Sequence, residues 1–323
     1  MLIPSRERAL ALGGLLIAGG LLAAARPASA FCRTTTSHVP ADYDPSIQGC
    51  WTQGLPLYWA NACVSYDLQQ NASAQISYDD ASEGIATAFS KWTSISCAGA
   101  DTDAGDSGRV SIDVRDLGPV ACDLVQYNQT GPNQHAIIFR DTGWPYDDSS
   151  NELALTTVTY NMDTGEIYDA DMEINTFSQT LSVAATVPSG GFDFESIVTH
   201  ETGHFLGMAH SDDEHATMYA HYTQGDEVMR NLTVDDIAGL CSIYSPDGTR
   251  NVAQAASSTG SLAEGACDPT PRHGFSTQCM STASSSCSLG SVGGGRHGES
   301  GGTSAVLMGA VAAVVRASRR RRR

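Results

Sequence analysis

His200-Glu201-Thr202-Gly203-His204-Phe205-Leu206-Gly207-Met208-Ala209-His210 is the stretch on which the reading of this chain turns. Its pattern is HExxHxxGxxH. Histidines four apart on a helix share a face, with Cβ atoms roughly 5–6 Å apart, close enough for two imidazole nitrogens to hold one ion at about 2.0–2.1 Å. Glu201 then points its carboxylate toward the open side of that ion without being a ligand. A helix that simply continued would carry His210 away. Gly207 has no Cβ, can take the left-handed conformation that ends a helix, and so lets the chain turn and bring His210 back as a third ligand. Three protein ligands leave one coordination position open, which is the arrangement of a catalytic zinc site. The expected site is therefore His200, His204 and His210 for the metal, with Glu201 as general base.

The surrounding sequence supplies a scaffold for that helix. Asp193 is placed to cap it, and Phe192 with Ile197 occupy the two positions of a hydrophobic staple. Ile85, Phe89 and Trp92 give the stretch Asp80 to Trp92 one apolar helical face, and Thr233 caps a third helix that runs to Tyr244. Strand-like runs lie at Arg109 to Val114, His135 to Phe139, Leu153 to Tyr160 and Tyr168 to Asn175. Alternation of the two patterns from Leu55 to about Ser245 predicts one α/β domain.

Downstream of the histidines comes Ala216-Thr217-Met218-Tyr219-Ala220-His221-Tyr222, and Ser211 follows the third histidine directly. The extended histidine motif with such a methionine resembles the metzincins, and within them the matrixins most. Tyr58-Trp59, Val64-Ser65-Tyr66 and the Phe89 to Trp92 helix are similar to a matrixin's opening strand and helix, and Leu232 to Gly239 to its closing helix. The resemblance covers roughly residues 55 to 246. It implies an α+β metzincin-like fold: a twisted, mostly parallel sheet, an active-site helix below it, a zinc cleft, and a small C-terminal subdomain with Met218 as an apolar floor under the ligands. The family's inhibitory propeptide cysteine motif has no match here, and Leu153 to Thr157 lacks the histidine that binds the family's second, structural zinc. Ala220 stands where some other metzincins place a tyrosine ligand.

Asp169-Ala170-Asp171-Met172-Glu173-Ile174-Asn175 alternates strictly, so Asp169, Asp171, Glu173 and Asn175 share one strand face. Two readings stay open: a solvated face, and a Ca2+ site, since oxygen ligands suit that ion and matrixins carry acidic calcium ligands in this region. His215 and His221 have no spacing argument and stay unassigned.

The ends of the 323-residue chain read as processing segments. Arg6 and Arg8, the apolar run Ala9 to Ala25 and the small residues up to Ala30 form a signal peptide, residues 1–30, which implies export. Residues 31–54 have no readable role, 55–247 form the catalytic domain, and 248–286 are a Ser/Gly-rich linker too poor in large apolar groups to fold. The tail, 287–323, orders Cys287, a Gly-rich spacer, an apolar stretch from Ala305 to Val315 expected as a helix, and Arg319 to Arg323. That order resembles the C-terminal sorting tails of myxobacterial surface proteins and implies removal of the tail and attachment near Cys287, at the outer cell surface or outer membrane. A plain anchor with cytoplasmic arginines is the alternative.

Nine cysteines suit an exported protein, and eight remain once Cys287 is set aside. Proximity in sequence favours Cys50 with Cys63, Cys97 with Cys122 and Cys267 with Cys279, out of about 105 connectivities. The formal charge is −18, and residues 31–295 hold eight basic side chains against 34 of the 36 acidic ones. So negative a surface, without a basic stripe, excludes nucleic acid as a partner.

Together these readings predict a monomeric zinc-dependent endopeptidase acting on proteins or peptides. Zinc acidifies a water and polarises the scissile carbonyl, Glu201 moves the proton to the leaving nitrogen, and the edge strand Leu153 to Tyr160 takes an extended peptide by backbone hydrogen bonds. The alternative is a noncatalytic surface or adhesion protein with zinc as a structural clip, against which Glu201 argues. An astacin-like or pappalysin-like metzincin is disfavoured by the residues around Met218.

Overall fold

The computed structural model describes residues 31–40, 43–98, 108–252, 255–258, 267–280 and 308–317. In chain order these form β1 (Cys32–Arg33), α1 (Pro45–Gln48), β2 (Cys63–Gln69), α2 (Tyr78–Thr93), β3 (Asp113–Val120), β4 (Ala136–Phe139), β5 (Glu152–Asn161), β6 (Ile167–Ile174), β7 (Leu181–Ser182) and β8 (Phe192–Asp193). They continue with α3 (Phe194–Phe205), β9 (Met208–Ala209), β10 (His221–Tyr222), α4 (Val234–Ile243), β11 (Thr249–Val252), β12 (Ala255–Ser258) and β13 (Met308–Ala317). The signal peptide, Cys287, the spacer and the final arginines lie outside the described residues.

The main sheet has the order β10-β13-β5-β6-β4-β2-β3. β2 pairs in parallel with β3 and β4, β4 with β6, and β10 with β13, while β5 is antiparallel to both β6 and β13. This is the mixed, mostly parallel α/β sheet with few helices that the sequence predicts. The strand expected from Arg109 begins later, at Asp113, because Val110 instead donates to the Ile95 carbonyl behind α2. Pro119 is tolerated in β3 because β3 is an edge strand.

α3 and α4 start where Asp193 and Thr233 predict, and α2 begins at Tyr78, ahead of the expected Asp80. Ser77 accepts from the Asp80 amide, Asp193 from Ser196, and Thr233 with Asp236 forms a reciprocal capping box. The apolar face of α2 packs on α3: Phe89 stacks on Tyr66 at 4.6 Å and meets Phe205 edge-on at 5.2 Å, and Trp92 donates to the Thr199 carbonyl. Polar residues buried along α3 are satisfied locally, Thr199 and Thr202 each donating to the carbonyl four residues back.

The disulfides differ from the pairs that proximity favoured. They are Cys32–Cys50, Cys63–Cys267, Cys97–Cys241 and Cys122–Cys279. Three of them span separations of 144 to 204 residues, set by which strand ends meet in space. Two fasten residues 267–280 onto β2 and the end of β3, where Asn133 donates to the Arg272 carbonyl and the Arg272 guanidinium lies over the Tyr168 ring at 4.0 Å.

Cys32 to Thr34 lie against the turn that follows α3. β1 pairs with β9, and Thr34 bonds Gly207 and Met208. At the other end, Met308–Ala317 is an extended strand, contrary to the helix expected there. Val311, Val314 and Val315 weaken helix formation, and the open edge of β5 offers the hydrogen bonds a strand needs. Among the described residues no helix is long and apolar enough to cross a membrane.

Candidate metal centre

α3 delivers His200 and His204 from one face, and the chain reverses at Gly207 to return His210. Gly207 has φ +95°, and a Cβ there would come within 3.0 Å of the Leu57 carbonyl, so both the turn and the close approach call for glycine. The Nε2 atoms of His200 and His204 lie 3.0 Å apart and those of His204 and His210 3.2 Å apart, with all three ligand atoms within 4.8 Å of one another. Tetrahedral ligands on a zinc ion at about 2.0–2.1 Å sit roughly 3.3 Å apart, so this donor set fits that ion.

The tautomers are fixed from behind. His200 donates from Nδ1 to the Thr217 carbonyl at 2.6 Å, and His204 from Nδ1 to the Met208 carbonyl at 3.0 Å, which turns an Nε2 lone pair of each toward the common centre. Burial drives both imidazoles toward the neutral, ligating form, His204 down to about 4 and His200 well below its ordinary value. Thr156 on β5 donates to Glu201 Oε2 at 2.5 Å and so fixes the orientation of the carboxylate.

Met218 is buried beneath the site, and Gly203 makes room for it: a Cβ on Gly203 would stand 2.2 Å from the Met218 sulfur. The turn carrying Met218 hangs on Asp236, which accepts from the Thr217 and Met218 amides at 2.9 and 3.0 Å while also capping α4. Ser211 closes the loop through Asp235 and the Met218 carbonyl. Sequence reading assigned no site role to Asp236 or Thr156. The Thr233-x-x-Asp236 spacing is a visible capping signal, whereas nothing local marks Thr156. Tyr222 is buried and donates to the Asp226 carbonyl, and His215 is exposed and outside the histidine cluster. Arg230 clamps the α3 cap Asp193 through two bonds of 2.7 Å.

The acidic strand face is buried, which overturns its solvated reading. Asp171 accepts from the Gln126 and Ala136 amides, Glu173 takes Arg140 and Tyr146, and Asn175 donates to Ser149 and Glu152 carbonyls. Asp169 Oδ1 has no hydrogen-bond partner, nor do Asp67 Oδ1 and His135 Nε2, the last lying 3.9 Å from Asp169. Burial raises Asp67 to about 7 and Asp171 to about 8, and lowers His135 to about 4.

Residues 134–245 match the family model described as Matrixin. Metalloendoproteinase 1-MMP of Arabidopsis thaliana is 46% identical over 55 residues, 17% of this chain and 15% of that protein. Matrilysin of Homo sapiens is 46% identical over 54 residues, 17% of this chain and 20% of its own length. Matrix metalloproteinase-C of Caenorhabditis elegans is 24% identical over 199 residues, 60% of this chain and 30% of its own. The chain thus spans between 15% and 30% of the length of these relatives. Residues 134–245, the stretch that matches the Matrixin model, include all three histidines, so the similarity supports a matrixin-like metalloprotease segment.

Proposed function

We propose that this chain is an exported zinc-dependent endopeptidase in which His200, His204 and His210 hold the metal and Glu201 is the general base. The observation that carries it is the convergence of three histidine nitrogens, with the neighbouring Glu201 carboxylate held by Thr156. Zinc, when bound, supplies Lewis acidity to an attacking water and to the scissile carbonyl. Glu201 takes the water's proton and hands it to the leaving nitrogen. The carbonyls of Thr217 and Met208 keep His200 and His204 in the ligating tautomer throughout. A purely structural clip has no use for a positioned base, which sets the surface-protein reading second.

Protein or peptide substrates, a monomeric state, and attachment near Cys287 after removal of the sorting tail belong to the same proposal. A second cation rests on the buried, unpartnered Oδ1 atoms of Asp67 and Asp169, although among the described residues only His200, His204 and His210 bring three ligand atoms together. The calcium reading narrows to Asp169, because Asp171 and Glu173 already accept from protein donors. Metal analysis of the purified protein decides this: more than one metal equivalent per chain is the expected result, and one zinc alone ends it.

The test of the enzyme is casein and mixed-peptide cleavage by the purified chain, with its C-terminal strand intact or interrupted, alongside Glu201→Ala and zinc measurement on each. Expected are chelator-sensitive cleavage and a variant that keeps zinc while losing about 10³-fold or more in kcat. Zinc-loaded protein that releases no fragment in any form moves the surface-protein reading ahead.

A further inference from the structure

The edge on which a peptide was expected to add is already taken. β13 pairs antiparallel along β5 from Met308 opposite Asn161 to Arg316 opposite Glu152, with one irregularity at Val315/Arg316. Its far end pairs in parallel with β10, Arg316 opposite His221 and Ala317 opposite Tyr222. The segment therefore lies between two walls, runs alongside α3, and places Ala313 opposite Thr156, the residue that holds Glu201. The two walls come from opposite sides of the metal site in sequence: β5 precedes the histidines and β10 directly follows the Met218 turn.

We infer that Met308–Ala317 is the resident peptide of the active-site groove, a detachable strand that excludes other extended peptides until it is displaced or removed. The inference rests on the endopeptidase reading for the name of the groove, and on strand pairing alone for its occupancy. Backbone hydrogen bonds to an exposed edge are sequence-tolerant, so a stretch free of Pro, Asp and Glu, such as Met-Gly-Ala-Val-Ala-Ala-Val-Val-Arg-Ala, is a suitable occupant. Its tether sets the strength of the block. Roughly 30 residues separate β13 from Cys279, which is fastened to Cys122, and a tether of that length gives an effective concentration of about a millimolar. A segment that binds only weakly as a free peptide is then enough to fill the groove, yet yields to proteolytic removal of the tail. Removal of the tail at the cell surface would vacate the groove and link attachment to activation.

The experiment compares the full chain with its Ala312→Pro/Ala313→Pro variant. The positions are consecutive, so one of them removes an N–H that points at β5. Hydrogen exchange of the amides of residues 153–160 is read first: protection in the wild type and its loss in the variant, with an unchanged melting temperature, is the expected result. Equal exchange in both, or a variant that melts many degrees lower, overturns the inference, the latter by making β13 a permanent part of the fold. With casein or a fluorogenic peptide mixture as substrate, apparent KM should fall about tenfold or more in the variant with kcat little changed, and a synthetic 305–318 peptide should restore the block competitively. An unchanged KM also overturns it. If exchange shows docking and neither form cleaves anything, the strand assignment stands and the endopeptidase reading is the one that has failed.

Discussion

Two buried clusters of titratable groups lie close to the sheet, and they are built on opposite terms. Around α3, His200 and His204 each donate from Nδ1 to a backbone carbonyl, Glu201 has Thr156, and the three Nε2 atoms converge on one point. Between β2, β4 and β6, Asp67, His135 and Asp169 each leave one atom without a partner, and burial pushes Asp67 up and His135 down. The first cluster is organised from behind to receive something at its centre. The second carries an electrostatic cost that a proton or a cation must offset.

The largest effect expected from breaking the first cluster's support is at Asp236. It accepts from Thr217 N, Met218 N and Thr233 N, so Asp236→Ala strands several buried donors and frees the carbonyl that orients His200. A loss of about 3–4 kcal/mol in urea unfolding is expected, with zinc affinity down about tenfold or more by competition titration. Unchanged zinc affinity in a folded variant would separate the Met218 turn from the metal site.

The second cluster should show the reverse sign. Asp67 holds its proton to about 7 in the folded chain, whereas an unfolded Asp releases it near about 4. Stability owed to the protonated form is complete below about pH 4 and is lost as pH rises through about 7. Asp67→Asn cannot ionise, so in chelator its advantage over wild type should open by on the order of 2–4 kcal/mol between pH 4 and pH 8. His135 changes stability between about pH 4 and 6.5 in the opposite direction, and equally in both proteins. A variant that is instead less stable at pH 8 in metal-replete buffer, and not in chelator, would show that Asp67 works as a cation ligand.

The same contrast explains what was legible in the sequence. The histidine site was readable because one helix and one glycine fix it locally, from i, i+4 spacing to the turn at Gly207. Caps at Asp193 and Thr233 were readable for the same reason. The acidic face of β6 was half readable: alternation assigns Asp169, Asp171 and Glu173 to one face but does not say what covers it, and the cover comes from Gln126, Arg140 and Tyr146 in other segments. Disulfide partners 144 to 204 residues apart carry no local signal at all. Nor did the apolar tail, whose Ala and Val content permits helix or strand until an edge such as that of β5 decides between them.

The smallest effect concerns the bond that joins β5 to α3 at the site. Thr156 lies on β5 with its Oγ1 on Glu201 Oε2, and it is not among the three histidines whose ligand atoms converge. Thr156→Val keeps the β-branched shape and removes only the donor, so the strand and the zinc content should be unchanged. A carboxylate released from one orientation still reaches the water, only less often. About a tenfold fall in kcat, near 1.4 kcal/mol in the barrier, with KM unchanged is therefore expected in the strand-interrupted background, and Thr156→Ser should restore most of it. Loss of zinc in Thr156→Val, or failure of serine to rescue, would mean that Thr156 supports the fold of β5 rather than the aim of Glu201.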